Sequence, residues 1–404
     1  MGDLVNHIKL SKRADSIQPS STLAISAKAK QMRAEGMDVV GFGAGEPDFD
    51  TPDYIKHAGI AAIRDGKTKY TPASGILELK KAVAKKFESE NHVPADPSRV
   101  VVSCGGKHSM TNVCLALLDP GDEAIIPSPY WVSYPEMVKI AGADPVIVET
   151  TEENSFRITP EALERAITPK TKLFFLCSPS NPTGVVYHRE ELEQLAAVLE
   201  KHDVFVISDE IYEKLIYDGA EHVSIASFSS AMAERTITCN GVSKAFAMTG
   251  WRIGFAVGPA PIMKAIANLQ SHSTSNPTSI AQYATVEALT GGSSEVEAMR
   301  VEFEKRRNRM VGALNSIDGI SCSMPEGAFY AFPNIKAYLG KSLNGLAVGT
   351  SAEFATALLE NEQVALVPGI DFGAEGYLRF SYATDMVSIE KGLERFARFC
   401  GKLV

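Results

Sequence analysis

Lys244 stands in the run Asn240-Gly241-Val242-Ser243-Lys244-Ala245-Phe246, among small and apolar residues, and Arg252 follows eight positions later. An amine in such surroundings loses solvation, so its neutral, nucleophilic form is favoured and it can condense with an aldehyde. An arginine keeps its charge and offers a planar fork suited to phosphate. Taken singly, each has a plainer reading: a surface lysine, and one half of a buried ion pair.

Three further groups carry possible chemistry. Asp209 follows Val204-Phe205-Val206-Ile207-Ser208, at the carboxyl end of a predicted strand, where a carboxylate could hold a metal, pair with a buried base or cap a helix. Ser103-Cys104-Gly105-Gly106-Lys107 follows another strand and opens an amphipathic helix, so backbone N–H groups face outward together as an anion site. It lacks the G-x-x-x-x-G-K-[ST] spacing of a nucleotide loop. Ser178-Pro179-Ser180-Asn181-Pro182-Thr183-Gly184 is a rigid turn in which Asn181 has the useful donor. All four groups fall at strand ends or on loops beside them, so one crevice can hold them together. They then supply an amine for an aldehyde, a phosphate cradle, an acid for a ring nitrogen and donors for a phenolic oxygen, which are the needs of pyridoxal phosphate.

The elements that must position these residues alternate between roughly residues 100 and 260. Val100-Val101-Val102-Ser103, Ala124-Ile125-Ile126, Leu173-Phe174-Phe175-Leu176 and Val204-Phe205-Val206-Ile207 read as buried strands, and residues 189–201 (REELEQLAAVLEK) as a crossover helix with acids early and a lysine late. Such βαβ alternation predicts an α/β fold with a mostly parallel sheet. Beyond residue 290 come a long charged helix near residues 299–315 and short strand-like pieces, Gly327-Ala328-Phe329-Tyr330 and Tyr377-Leu378-Arg379-Phe380. The expected division is an N-terminal arm over 1–48 that joins a small α+β domain over 296–404, and a large domain over 49–295.

The 404 residues are 45% hydrophobic, enough for two cores, and the formal charge of −9 comes without a basic run, so nucleic acid is not an expected partner. No stretch approaches a membrane span or a secretory signal, and the six cysteines include no C-x-x-C pair. A reducing cytoplasm, with no disulfide framework, metal site or membrane contact, is the expectation.

With these residues in hand, the chain resembles the class I aminotransferases of the fold type I pyridoxal-phosphate enzymes nearly end to end. GAGEPDFDTP (43–52), KYTPASGILELKKAVA (69–84), SPYWVSYPEM (128–137), NPTG, SDEIYEKLIYDG and SKAFAMTGWRIGF are similar to family motifs and stand in family order. The resemblance implies a large domain built on a mostly parallel seven-stranded sheet. It implies that Lys244 forms the Schiff base and then shuttles the substrate proton, that Asp209 pairs with the ring nitrogen, that Tyr212 and Asn181 bond the phenolic oxygen, and that Trp131 stacks on the ring. Phosphate falls to the backbone of Gly106 and Lys107, to Ser243 and Arg252, and to Tyr70 reaching across from the other subunit of a homodimer. Arg379 would grip the substrate α-carboxylate, with Gly45 beside it.

The opening segment and the GGK turn resemble the I-gamma subgroup, bacterial-type aspartate aminotransferases of which some accept prephenate. There Lys107 and Thr22 would meet a second substrate carboxylate. Gln18 stands where a basic residue is expected, and His108 where glutamine is common. Within the fold, a carbon–sulfur lyase, an aminocyclopropane-carboxylate synthase or an aromatic or broad-specificity aminotransferase would use the same lysine, aspartate and arginine. A nicotinamide enzyme is disfavoured because Gly41-x-Gly43-x-Gly45 lacks the third-glycine offset, and a DNA-binding regulator because no helix-turn-helix or basic patch is evident.

Overall fold

The computed structural model describes residues 9–17, 21–343 and 345–404. The apolar runs of the middle region form one seven-stranded sheet of β1 (Val100–Ser103), β2 (Glu123–Ser128), β3 (Asp144–Glu149), β4 (Thr171–Cys177), β5 (Phe205–Asp209), β6 (Thr236–Gly241) and β7 (Gly254–Val257). The spatial order is β1-β7-β6-β5-β4-β2-β3. Strand β7 runs antiparallel to both of its neighbours, and the other pairings are parallel. Helices cover both faces, which is why the strand residues are continuously apolar rather than alternating: Leu173, Phe174, Phe175 and Leu176 are all buried. The register sets Asp209 opposite Cys177 on one side and Cys239 on the other, level at the carboxyl edge.

Flanking the sheet are α1 (Leu77–Glu90), α2 (Gly106–Leu117), α3 (Arg189–Leu199) and α4 (Ala260–Ser273). The crossover helix α3 starts where predicted, because Glu191 folds back to accept the His188 N–H and Glu190 and Glu191 suit the dipole of the first turn. A buried Gln270 on α4 joins three elements. Its amide donates to the Val102 carbonyl, and its oxygen accepts from Ser103 Oγ on β1 and Asn112 on α2. That fixes where the glycine turn between β1 and α2 sits.

The long charged helix is α5 (Ser294–Leu314), and the chain ends on α6 (Met386–Cys400). Between them β8 (Tyr330–Ala331), β9 (Val367–Pro368) and β10 (Leu378–Ser381) form an antiparallel sheet in the order β9-β10-β8. The strand expected from Gly327 begins only at Tyr330, because Ala328 has φ 58° and cannot be extended. In the arm, Val40–Gly41 pairs with Val364–Ala365, and Phe42 packs with Phe303, Phe380 and Phe396 in the C-terminal core. Tyr212 and Leu215, from the turn after β5, enter that same core. Among the described residues no helix is long and apolar enough to cross a membrane.

Candidate active site

A cavity of about 460 Å³ opens at the carboxyl edge of the sheet, and the sequence-predicted residues of β5, the glycine turn, the lysine loop and β10 converge on it. Lys244 is half-buried on the cavity wall and donates to the Gly45 carbonyl. Burial, with the Arg379 charge nearby, lowers its ammonium to about 8. The neutral amine is therefore far more accessible near neutral pH than in a solvated lysine.

Asp209 ends β5 with 4% of its surface exposed. Burial pushes its carboxyl up to about 6. It is kept from rising further by the Tyr134 hydroxyl, which donates to Oδ2 at 2.6 Å, and by the Ile211 N–H at 3.3 Å from Oδ1. A turn rather than a helix follows, so this aspartate caps no helix. The Tyr212 hydroxyl lies 2.8 Å from that of Tyr330, and the Trp131 ring meets Tyr134 edge-on at 5.5 Å.

The anion cradle is built from backbone that only glycine permits. Gly105, with φ 91°, precedes the first residue of α2, Gly106, and a Cβ on it would lie 2.4 Å from the Arg252 guanidinium. A Cβ on Gly254 would lie 2.2 Å from the Gly106 nitrogen. The N-terminus of α2 is thus left open beside Arg252, whose guanidinium is steadied by the carbonyls of Thr249 and Cys104. Ser243 is buried on the same wall. The Lys107 ammonium sits 4.9 Å over the Trp131 ring, and desolvation with the Arg252 charge lowers its pKa.

Arg379, on β10, is 2% exposed. It donates to Asn181 Oδ1 at 2.9 Å and to the Gly43 carbonyl at 2.8 Å, between the rings of Tyr330 and Phe372. Among the described residues, its Nε and the Nδ2 of Asn240 are buried without a hydrogen-bond partner. Such donors are costly to leave unmet, and both belong to residues that line the cavity or its edge.

Tyr70 is not brought to this cavity: it is 93% exposed. The backbone of Thr22 belongs to the helix Ser21–Ala34, but its side chain, and all of Gln18, lie outside the described residues. Sequence reasoning missed Tyr134, Tyr330 and Asn240. Tyr134 stands three residues after Trp131, one turn on, and its partnership with Asp209 spans 75 positions that no local pattern links.

The cavity meets each demand of pyridoxal phosphate: an amine held partly neutral, an acid for a ring nitrogen, an anion cradle and spare buried donors. Fold and cavity define a fold type I pyridoxal-phosphate enzyme. Residues 37–396 match the family model for aminotransferase class I and II, and the chain belongs to that family. It is 51% identical to the aspartate aminotransferase of Bacillus subtilis (strain 168) over 395 residues, covering 98% of this chain and all of that one. It is 49% identical to the aspartate/prephenate aminotransferase of Cereibacter sphaeroides, covering 96% of this chain and 97% of that one. Among solved structures, the Thermus thermophilus aspartate aminotransferase with maleate superposes with a TM-score of 0.91 at 46% identity, over 97% of this chain and 100% of that one.

Replacing Tyr134 by phenylalanine removes the donor that holds Asp209 down, so the carboxyl should titrate higher still. An acid is ionised above its pKa, so cofactor capture that needs the Asp209 anion should fade as pH drops through about 6 in the parent and at a higher pH in the variant. Titrating apoenzyme with pyridoxal phosphate across the weakly acidic range checks this. Superimposable profiles would remove Tyr134 from the site.

Proposed function

We propose that the chain is an aspartate aminotransferase, passing the amino group of L-aspartate to 2-oxoglutarate in a ping-pong cycle that yields oxaloacetate and L-glutamate, with prephenate as a further acceptor. The observation that carries it is the presence of two separately held cations on one cavity, Arg379 and Lys107, a match for the two carboxylates of a dicarboxylic amino acid. The names of the Bacillus and Cereibacter relatives, and the dicarboxylate in the Thermus structure's title, support the same substrate class.

Bound pyridoxal phosphate supplies an electron sink for the bonds at the substrate Cα. Lys244 is the amine that would hold it and the base placed to move the proton at the substrate Cα. Asp209 keeps its negative charge at the ring nitrogen. Tyr212 donates toward the phenolic oxygen, as does Asn181, whose carbonyl oxygen is engaged by Arg379 and whose NH₂ is left as the donor. The α2 N-terminus at Gly106 and Lys107, with Ser243 and Arg252, binds phosphate. Trp131 would lie against the cofactor ring, and Gly45, which now accepts from Lys244, would contact the substrate. Tyr70 completes the phosphate site of the other subunit in a homodimer, which accounts for so large an exposed ring. Residues 296–404 with the arm 1–48 act as a small domain that brings Arg379 onto the large domain over 49–295 as substrate binds. The protein works in the cytoplasm.

Mixing the holoenzyme with aspartate and 2-oxoglutarate tests the reaction directly. Glutamate should form with parallel double-reciprocal lines, and absence of glutamate would overturn the assignment. Lys107→Ala should lower kcat/KM for aspartate and prephenate by about 10- to 100-fold while leaving an aromatic amino acid within about threefold. Equal losses on all three would show that Lys107 does not read the second carboxylate.

A further inference from the structure

On the far side of the turn after β5 lies a cluster that the reaction does not use. The five residues from Asp209 to Glu213 send Asp209 and Tyr212 to the cavity, while Glu210 and Glu213 point into a second, closed group with His222, Lys86 and Asn91. The side chains of Glu210, Glu213, His222 and Lys86 are at most 9% exposed. Glu210 accepts from Ser208 Oγ at 2.8 Å and Ser224 Oγ at 2.7 Å through one oxygen, and from His222 Nε2 at 3.0 Å and Asn91 at 3.3 Å through the other. Glu213 takes the Lys86 ammonium and the Asn91 amide, the latter at 2.7 Å. Donor atoms of Glu210, Glu213 and His222 lie within 4.8 Å of one another, the spacing of a cation site, and Lys86 is the cation the cluster already holds.

The charge count is informative. Two carboxylates against one ammonium leave one negative charge in a buried place, which favours a proton on His222, whose Nε2 lies 3.0 Å from Glu210. At the outer edge Glu90 pairs with Lys214, so these two add nothing to the balance. Burial alone would lower the His222 imidazole, but the two carboxylates outweigh it and the net shift is upward, in favour of the charged form. Lys86 holds the Glu213 carboxyl down at about 2 against its burial, and Glu210 adds its negative charge to those acting on Asp209.

We propose that the charge-neutral cluster of Glu210, Glu213, His222 and Lys86 is a positioning device for the cofactor turn, pinning the backbone of residues 209–213 so that Asp209 and Tyr212 face the cavity. It rests on the reading of Asp209 as the partner of the ring nitrogen. His222→Gln leaves one carboxylate uncompensated next to Asp209. Added negative charge favours the protonated form of the bound cofactor, so the titration midpoint of its visible absorbance should rise by about half a unit. Affinity of apoenzyme for pyridoxal phosphate should fall about fivefold or more, as expected for members of one network.

The double variant Glu210→Gln/His222→Gln restores neutrality and should return both quantities most of the way to the parent values. A purely structural cluster would instead lower the melting temperature and leave the midpoint and affinity unmoved. That result, or a double variant no closer to the parent than His222→Gln, overturns the proposal. Should His222→Gln fail to fold, the double variant carries the test by the same readouts, and its own failure to fold also counts against charge balance. Asp209→Asn is measured alongside. If it too keeps the parent midpoint and affinity, the ring-nitrogen reading falls and the proposal with it; if only His222→Gln does, the proposal alone falls.

Discussion

Lys244→Ala protein is expected to fold, to dimerise and still to bind pyridoxal phosphate without a covalent bond, yet to transaminate at least about ten-thousand-fold more slowly than the parent. The size of the loss follows from two duties on one nitrogen. In the proposed mechanism the amine that holds the cofactor also moves the proton at the substrate Cα, and among the described residues the cavity wall offers no second amine so placed: Lys107 lies over Trp131. Folding should survive because Lys244 contributes one hydrogen bond to Gly45 and an otherwise unfavourable half-buried charge. Single-turnover measurements with aspartate, together with circular dichroism, check both halves. Residual activity within about a hundredfold of the parent would mean that another base carries the proton.

Arg379→Ala should reduce kcat/KM for aspartate by about 100- to 1,000-fold, mostly through KM, because a carboxylate contact made equally in ground and transition states is lost from both. Arg379→Lys should recover little of it, since the fork that reaches Asn181 and Gly43 together cannot be imitated by a point charge. The same guanidinium orients Asn181, so a secondary fall in kcat is expected as the Asn181 amide loses its anchor. A variant whose KM for aspartate stays within about threefold of the parent would place the α-carboxylate elsewhere.

Several of the residues that line the cavity were legible because they sit at or just beyond a strand end with a local signature. β5 ran straight into Asp209, β1 into the double glycine, and Lys244 stood in an apolar loop; continuous apolar runs gave the parallel sheet, since both of its faces are covered. The shortfall has two physical causes. One is backbone conformation: Ala328 turns left-handed, so a strand expected from Gly327 starts at Tyr330, whose hydroxyl then meets Tyr212. The other is long-range pairing. Tyr134 and Asp209, or Lys86 and Glu213, are joined only by the fold, and two acids next to Asp209 and Tyr212 read equally well as solvated turn residues until their burial is seen. Tyr70, 93% exposed and away from the cavity, belongs to a third kind, a residue whose proposed role lies on another chain.

The covalent anchor can be tested in one measurement. Holoenzyme reduced with borohydride, digested and analysed by mass spectrometry should carry the phosphopyridoxyl group on the peptide containing Lys244 and on no other. A modification on Lys107 or any other lysine, or none at all, would contradict the assignment of Lys244 as the residue that holds the cofactor.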